Sequence, residues 1–364
     1  MPKTKTEQVK QYLQTLIYKN IDEINYKIPS ENTLCRICKV SRITAKNALE
    51  ELVAEGLLFR HQGKGTFISS EAKAKISPQA NVRPSKLIGL LLPDLKSKFM
   101  LSIIQGIEAK LHNTDYDMII KCTNYSQTQE LKAVQNLLKS GVKGIIAYPV
   151  DKQFYNQEFL KLAFEKFPFV LIDRTLPGLN VSVVTSDNVN DMRTATESLI
   201  LEGHRHIGII STDSEGTDTL ILRIHGYEDA LAAHLISVKG SYKFTSMVNY
   251  DKDWETKLTQ YFLNNKKLTA VIALNSDLGY KTLRVLKKLG LRVPEDISLI
   301  AYEDEYSNIA DLMEISLTSI RQNPYEIGSQ AANLILGQAE NTNQEVRQIK
   351  IHSDFIKRNS TRAI

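Results

Sequence analysis

From residue 86 onward the chain repeats one pattern: a short apolar run, then an amphipathic stretch, then another apolar run. LIGLLLP is followed by FMLSIIQGIEAKLHN and YDMIIKC by QELKAVQNLLKS. The alternation continues through VKGIIAYP, FPFVLID, HIGIIST, LTAVIALNS and ISLIAYED. Continuous apolar strands joined by helices bury both faces of a parallel sheet. About 280 residues are too many for one such sheet, so the pattern predicts an α/β fold of two doubly wound lobes with a cleft between them.

Ligands of such sheets lie beyond the carboxyl ends of the strands. The polar residues that follow each apolar run are therefore candidates. They are Asp94 to Phe99 (with Lys96 and Phe99), Thr123 to Tyr125, Tyr148, Asp173 and Arg174, Asn275 and Asp277, and Glu303 and Asp304. Carboxylates, basic groups and aromatic rings around one cleft suit a polyhydroxylated ligand. Hydroxyls take paired hydrogen bonds, and ring faces cover C–H surface. Any one of these residues reads equally well as a loop polar group or a helix cap; the set carries the inference.

The first 86 residues are different. They hold 15 Lys+Arg against 8 Asp+Glu, a net +7, within a chain of net +5. A basic head on a near-neutral body suits a polyanionic partner. Val9, Leu13, Leu16 and Ile17 fall at helical spacing. Pro29 ends that segment, and Ser30 caps a short second helix. Ser41 caps a third, in which Ala45, Ala48, Leu49, Leu52 and Val53 make one apolar stripe. Arg42, Thr44, Lys46, Asn47 and Glu50 lie on its other side, and Gly56 terminates it. This pattern predicts a helix-turn-helix.

HQGKGT at 61–66 superficially resembles a phosphate-binding loop. Such a loop needs a strand before it, the spacing GxxxxGK[ST], and a helix after it. Here a helix precedes it and strand-like residues stand on both sides, so the stretch predicts a hairpin with Gly63 and Gly65 at its tip. His61, Gln62 and Lys64 would then project toward the backbone or minor groove of DNA.

IPSENTL, VSRITAKNALEELVAEGLL and GKGTF, in this order over residues 5–70, resemble the winged-helix domain of GntR-type bacterial regulators. The resemblance implies double-stranded operator DNA as partner. It implies contacts from Glu31, Asn32, Ser41, Arg42, Thr44 and Lys46, and from the wing residues His61, Gln62, Gly63, Lys64 and Gly65. Asn32 stands where arginine is common, and Lys46 replaces the second arginine of SRxTxR. Lysine is a point charge and not a fork, so the preferred operator is expected to differ from that of relatives.

The remainder, through SDNVNDMRTATESLILEGHRHIGII, RIHGYEDAL, LNSDLGY, VPEDISLIAYEDE and DFIKRNST, is similar to LacI/GalR regulators and, more distantly, to periplasmic sugar-binding proteins. That likeness implies a monosaccharide effector, with Arg223 and Asp277 on its hydroxyls. Ser276 replaces an asparagine and Glu303 an aspartate of the family pattern. The pairing of head and body resembles hybrid regulators of the arabinose-repressor type. It implies a homodimeric repressor with L-arabinose as effector.

The expected domains are 1–70 for the winged helix, 71–85 for a linker and 86–364 for the effector and dimerisation domain. The linker is polar, carries two prolines and has no period. No metal or cofactor is expected. CRIC at 35–38 lacks a second ligand pair and takes core positions of the helix-turn-helix, and His204 and His206 begin a strand. An enzyme would need a GxSxG, HExxH or Walker signature, and none occurs. A transport receptor would need a secretory leader. The N-terminus has no apolar h-region, no apolar run spans a membrane, and three cysteines suit a reducing compartment, so a cytoplasmic location is expected.

Overall fold

The computed structural model describes residues 4–21, 23, 26–72, 86–150, 156–213, 217–247, 252–305, 307–341 and 345–364. It divides into two compact units, Met1–Ser85 and Lys86–Ile364. Residues 73–85, most of the expected linker, lie outside the described residues.

The first unit packs α1 (Lys5–Lys19), α2 (Glu31–Cys38) and α3 (Arg42–Ala54) against a hairpin of β1 (Leu58–His61) and β2 (Gly65–Ile68). Ser30 and Ser41 cap their helices by accepting from the Thr33 and Thr44 amides at 3.3 and 3.2 Å. The predicted stripe is the core: Ala45, Ala48, Leu49 and Leu52 are buried with Val9, Leu13, Ile17, Leu34 and Leu58. Cys35 and Cys38 pack against this core as free thiols. Ala72 also belongs to it, two residues beyond the expected end of the head. The turn between the strands needs glycine, since Gly63 and Gly65 have φ +76 and +124. Phe59 and Phe67 stack across the hairpin at 5.7 Å and hold its register.

The second unit has two lobes. The first contains β3 (Lys86–Leu92), α4 (Lys98–Leu111), β4 (Tyr116–Cys122), α5 (Gln127–Lys139), β5 (Gly144–Ala147), α6 (Gln157–Phe164), β6 (Phe169–Ile172) and β7 (Ser182–Ser186). The second contains α7 (Asn188–Leu201), β8 (Ile207–Thr212), α8 (Asp218–Ala233), β9 (Lys243–Met247), α9 (Trp254–Asn264), β10 (Ala270–Ala273), α10 (Ser276–Lys288), β11 (Ser298–Tyr302) and β12 (Thr318–Arg321). The chain then returns to the first lobe as α11 (Pro324–Ala339) and β13 (Gln348–Ile351), and ends in the second with β14 (Asp354–Ile356). The sheets run β13-β7-β6-β5-β3-β4 and β14-β12-β11-β10-β8-β9, parallel except for β14. The apolar runs became strands: the inner ones, such as β5 and β6, are buried on both faces, while YDMIIKC forms the edge strand β4 and is only partly buried. Ile88, Leu90 and Leu92 face α4 and α11, while Leu91 faces α5 and α6. Gly106 and Gly328 let α4 and α11 cross closely; a Cβ at either would lie within 2.1 Å of the other helix's backbone. Among the described residues no helix is long and apolar enough to cross a membrane.

The chain crosses between lobes at Ser186–Asn188, at Gln322–Asn323 and at His352–Ser353. These crossings are bonded to one another. Gln322 donates to Ser186 Oγ at 2.8 Å, and the Asp187 amide donates to the Ile351 carbonyl at 3.0 Å.

Candidate ligand cleft and nucleic-acid interface

The cleft between the lobes collects Lys96, Phe99, Tyr148, Asp173, Arg174, Arg223, Asn275, Asp277 and Glu303 along its walls. All lie at or beyond the carboxyl ends of strands except Arg223, which comes from α8. Asp173 and Glu303 close β6 and β11 with φ of +64 and +74. Side chains seldom adopt this conformation, and such strain collects at functional sites. The Arg174 guanidinium lies 4.7 Å from the centre of the Tyr148 ring and 3.9 Å from Asp173.

Arg223 is the most constrained member. Only 6% of its side chain is exposed. Its Nε donates to Asn188 Oδ1 at 2.9 Å and its Nη1 to the Leu274 carbonyl at 2.8 Å. Its guanidinium lies on the Tyr302 ring at 3.7 Å, and Nη1 is 3.8 Å from Glu303. The Tyr302 hydroxyl lies 2.9 Å from Asp191 Oδ2, which also accepts from Ser353 Oγ at 2.6 Å. Arg223 is thereby tied to the first crossing through Asn188 and to the third through Tyr302, Asp191 and Ser353. Asp191 is buried, and desolvation raises its pKa against those hydrogen bonds.

Loss of solvation in the cleft pushes the Glu303 carboxyl up to about 7, and Arg223 pulls against that shift. Solvent still reaches 37% of the side chain and screens part of the effect. The folded state then holds this proton more tightly than the unfolded chain does. The contribution to stability is therefore lost as pH rises from the ordinary carboxylate range through about 7. Glu303→Gln is expected to have a melting temperature that gains on the wild type between pH 5 and pH 8. Parallel melting curves across that range would contradict the raised pKa.

Several of the remaining wall residues are held in bonds that shape the cleft. Asn275 Oδ1 caps α10 by accepting from the Leu278 amide at 2.8 Å. Ser276 donates to the Glu303 carbonyl at 3.1 Å and accepts from the Glu305 amide at 3.3 Å, so it holds the Glu303 turn. Asp277 is 69% exposed and paired with Lys281 at 2.6 Å. Asp304 is engaged elsewhere: both its oxygens accept from Arg358, at 2.9 and 2.8 Å. Thr123 is buried. Trp254, Lys281 and Gln322 line the cleft but were not among the residues singled out from the sequence. Trp254 is the one tryptophan in the chain, and Lys281 lies 5.4 Å from its ring centre.

The two lobes also touch across the cleft. Asp218 Oδ2 accepts from the Thr175 amide at 2.7 Å, and Lys98 Nζ donates to the Glu305 carbonyl at 3.0 Å. The buried His204 bridges Thr269 and the Arg362 carbonyl at 2.9 and 3.1 Å, and burial lowers its pKa. It therefore serves the strand start as a neutral imidazole. Among the described residues no cluster of His, Cys, Asp and Glu is placed to hold a metal ion.

In the head, the candidate residues share one exposed surface. Glu31 meets Arg42 at 3.2 Å and Arg60 at 3.7 Å, and Glu50 meets Lys46 and Arg60 at 3.8 Å. Pairs of this kind are worth about 0–1 kcal/mol, so phosphates can replace the carboxylates at small cost. Asn32 is exposed at the start of α2. His61, Gln62, Gly63, Lys64 and Gly65 form the exposed hairpin tip. The Ser41 hydroxyl lies 2.8 Å from that of Thr44 at the start of α3. Arg60 completes the charged surface and was not anticipated.

Residues 5–68 match the bacterial regulatory proteins of the gntR family, and residues 196–361 match a periplasmic binding protein-like domain. Over 92% of this chain and 88% of its own length, an arabinose metabolism transcriptional repressor of Halalkalibacterium halodurans is 30% identical. The corresponding repressor of Geobacillus stearothermophilus is 28% identical over 98% of this chain and 97% of its own. The transcription regulator CcpA of Lactococcus lactis superposes with a TM-score of 0.67 at 22% identity, covering 76% of this chain and all of its own. It establishes the likeness of fold.

Proposed function

Because the chain belongs to the family of bacterial transcriptional regulators that join a gntR-family DNA-binding head to a periplasmic-binding-protein-like body, the family of the arabinose metabolism transcriptional repressors, we propose that it represses sugar-utilisation genes as a cytoplasmic homodimer and releases its operator when a monosaccharide fills the cleft. L-arabinose is the effector this reading favours, since two relatives 28% and 30% identical carry that name, whereas the ribose operon and PurR repressors similar over as much of their length are 24–26% identical. It is a regulator and not a catalyst.

The observation that carries the reading is the placement of Arg223. Its guanidinium is fixed on three sides, lines the cleft, and makes no hydrogen bond through Nη2 among the described residues. A held guanidinium with a free edge, facing carboxylates on both lobes, is built for vicinal hydroxyls. The cleft's charges are also largely matched: Arg174 with Asp173, Arg223 with Glu303, Lys281 with Asp277. That balance favours a neutral sugar over a sugar phosphate.

A sugar shifts operator affinity only by as much as it prefers one state, typically about 1–3 kcal/mol. The bonded crossings beside Arg223 supply a route for that preference. Binding is tested by titrating monosaccharides against Trp254 fluorescence and melting temperature. L-arabinose should change both, and a sugar panel without effect would overturn the effector reading. Asp277→Ala should weaken that sugar by about tenfold, the loss of a charged hydrogen bond. An unchanged titration midpoint would place Asp277 outside the contact set.

A further inference from the structure

α3 buries Ala45, Ala48, Leu49 and Leu52, so residues 43, 46, 47 and 50 lie on the opposite face of the helix. Three of these are polar: Lys46, Asn47 and Glu50. The fourth, Ile43, is 72% exposed, in the first turn and beside Arg42 and the Ser41–Thr44 cap. Among the described residues it belongs neither to the head's core nor to the hydrophobics packed against that core. A lone exposed isoleucine is unremarkable on an arbitrary surface. Here it stands on α3 between Arg42 and Lys46, whose ion-pair partners Glu31 and Glu50 also meet Arg60.

We propose that Ile43 is a specificity-determining residue that reads the 5-methyl group of a thymine in the major groove. The claim rests on the DNA-binding reading above. Of the four bases only thymine shows an apolar group on its major-groove edge, so an aliphatic side chain there discriminates by burying that methyl. A branched side chain has few rotamers, and Ile43 is presented at the amino end of a capped helix, the end that enters the groove. Arg42 and Lys46 on either side supply the charged contacts that fix its register.

The test begins by selecting duplexes from a randomised library with the full chain at fixed salt. Each thymine of the selected duplex is then replaced by deoxyuridine, which removes the methyl group and keeps the base pair. At one position in each half-site the wild type should lose about fourfold in affinity, the factor that burial of one methylene-sized group represents. Ile43→Ala, which removes the contact from both half-sites, should bind the thymine duplex about sixteenfold more weakly and be indifferent to deoxyuridine at that same position. It should melt with the wild type, because Ile43 touches no core. If no deoxyuridine position weakens the wild type, or if Ile43→Ala keeps the wild type's sensitivity, the assignment is overturned. Failure to enrich any duplex would remove the DNA-binding reading itself, and the assignment with it.

Discussion

Arg223→Ala is expected to abolish the effector response while operator binding without sugar persists. Loss of a fixed guanidinium that contacts hydroxyls should cost the sugar about a hundredfold in affinity, as a charged hydrogen-bond donor in a desolvated site is worth about 1.5–3 kcal/mol. The same substitution leaves Glu303 without its counter-charge and exposes one face of the Tyr302 ring. Arg223 is buried but Glu303 is 37% exposed and can take up a proton, so the melting temperature of the second unit should fall, by less than the loss of a fully buried pair would cause. Arg223→Lys separates the two effects. It keeps a charge near Glu303 but loses the fork that bonds Asn188 and Leu274 together. It should recover much of the melting temperature and little of the sugar affinity. Calorimetric titration of both variants measures this, and full sugar affinity in Arg223→Ala would remove Arg223 from the site.

Arg42→Ala is expected to do the reverse: operator recognition collapses toward non-specific affinity while the sugar titration is unchanged. Arg42 is 73% exposed and, among the described residues, its ion-pair partner is Glu31, so its removal leaves the fold intact. An arginine on a base edge is worth about 1–3 kcal/mol, and a dimer presents it to two half-sites. The combined loss in operator affinity therefore falls between about thirtyfold and about twenty-thousandfold. Anisotropy of a labelled duplex at constant salt reports it. A variant that lost sugar binding together with DNA binding would contradict the separation into a reading head and a sensing body.

The sequence disclosed the elements whose physics is local. Apolar runs such as LIGLLLP announce strands buried on both faces, and Ser30, Ser41 and Gly56 mark helix ends by their own chemistry. Strand β13, QIKI, lies exposed along one side and is short, so no apolar run revealed it. Helices α6 and α9 were not singled out. The cleft wall was legible because the residues that line it mostly follow strands directly. The support behind it was not. Arg223 and Asn188 are 35 positions apart, and Tyr302 and Asp191 are 111 apart. No spacing rule links such pairs. The same blindness runs the other way with Asp304, which follows a strand like its neighbour Glu303 but is taken by Arg358, 54 positions later. Trp254 was missed because it opens a helix whose strand, β9, carries only a weak apolar pattern.

The central claim is that one chain couples a sugar in the cleft to DNA at the head. It is tested most directly by holding the chain on a labelled, selected duplex and titrating L-arabinose while following anisotropy. Release at a sugar concentration that shifts in proportion to duplex affinity, as reciprocal linkage requires, is the predicted result. Anisotropy that stays constant while Trp254 fluorescence reports a saturated cleft would contradict the coupling.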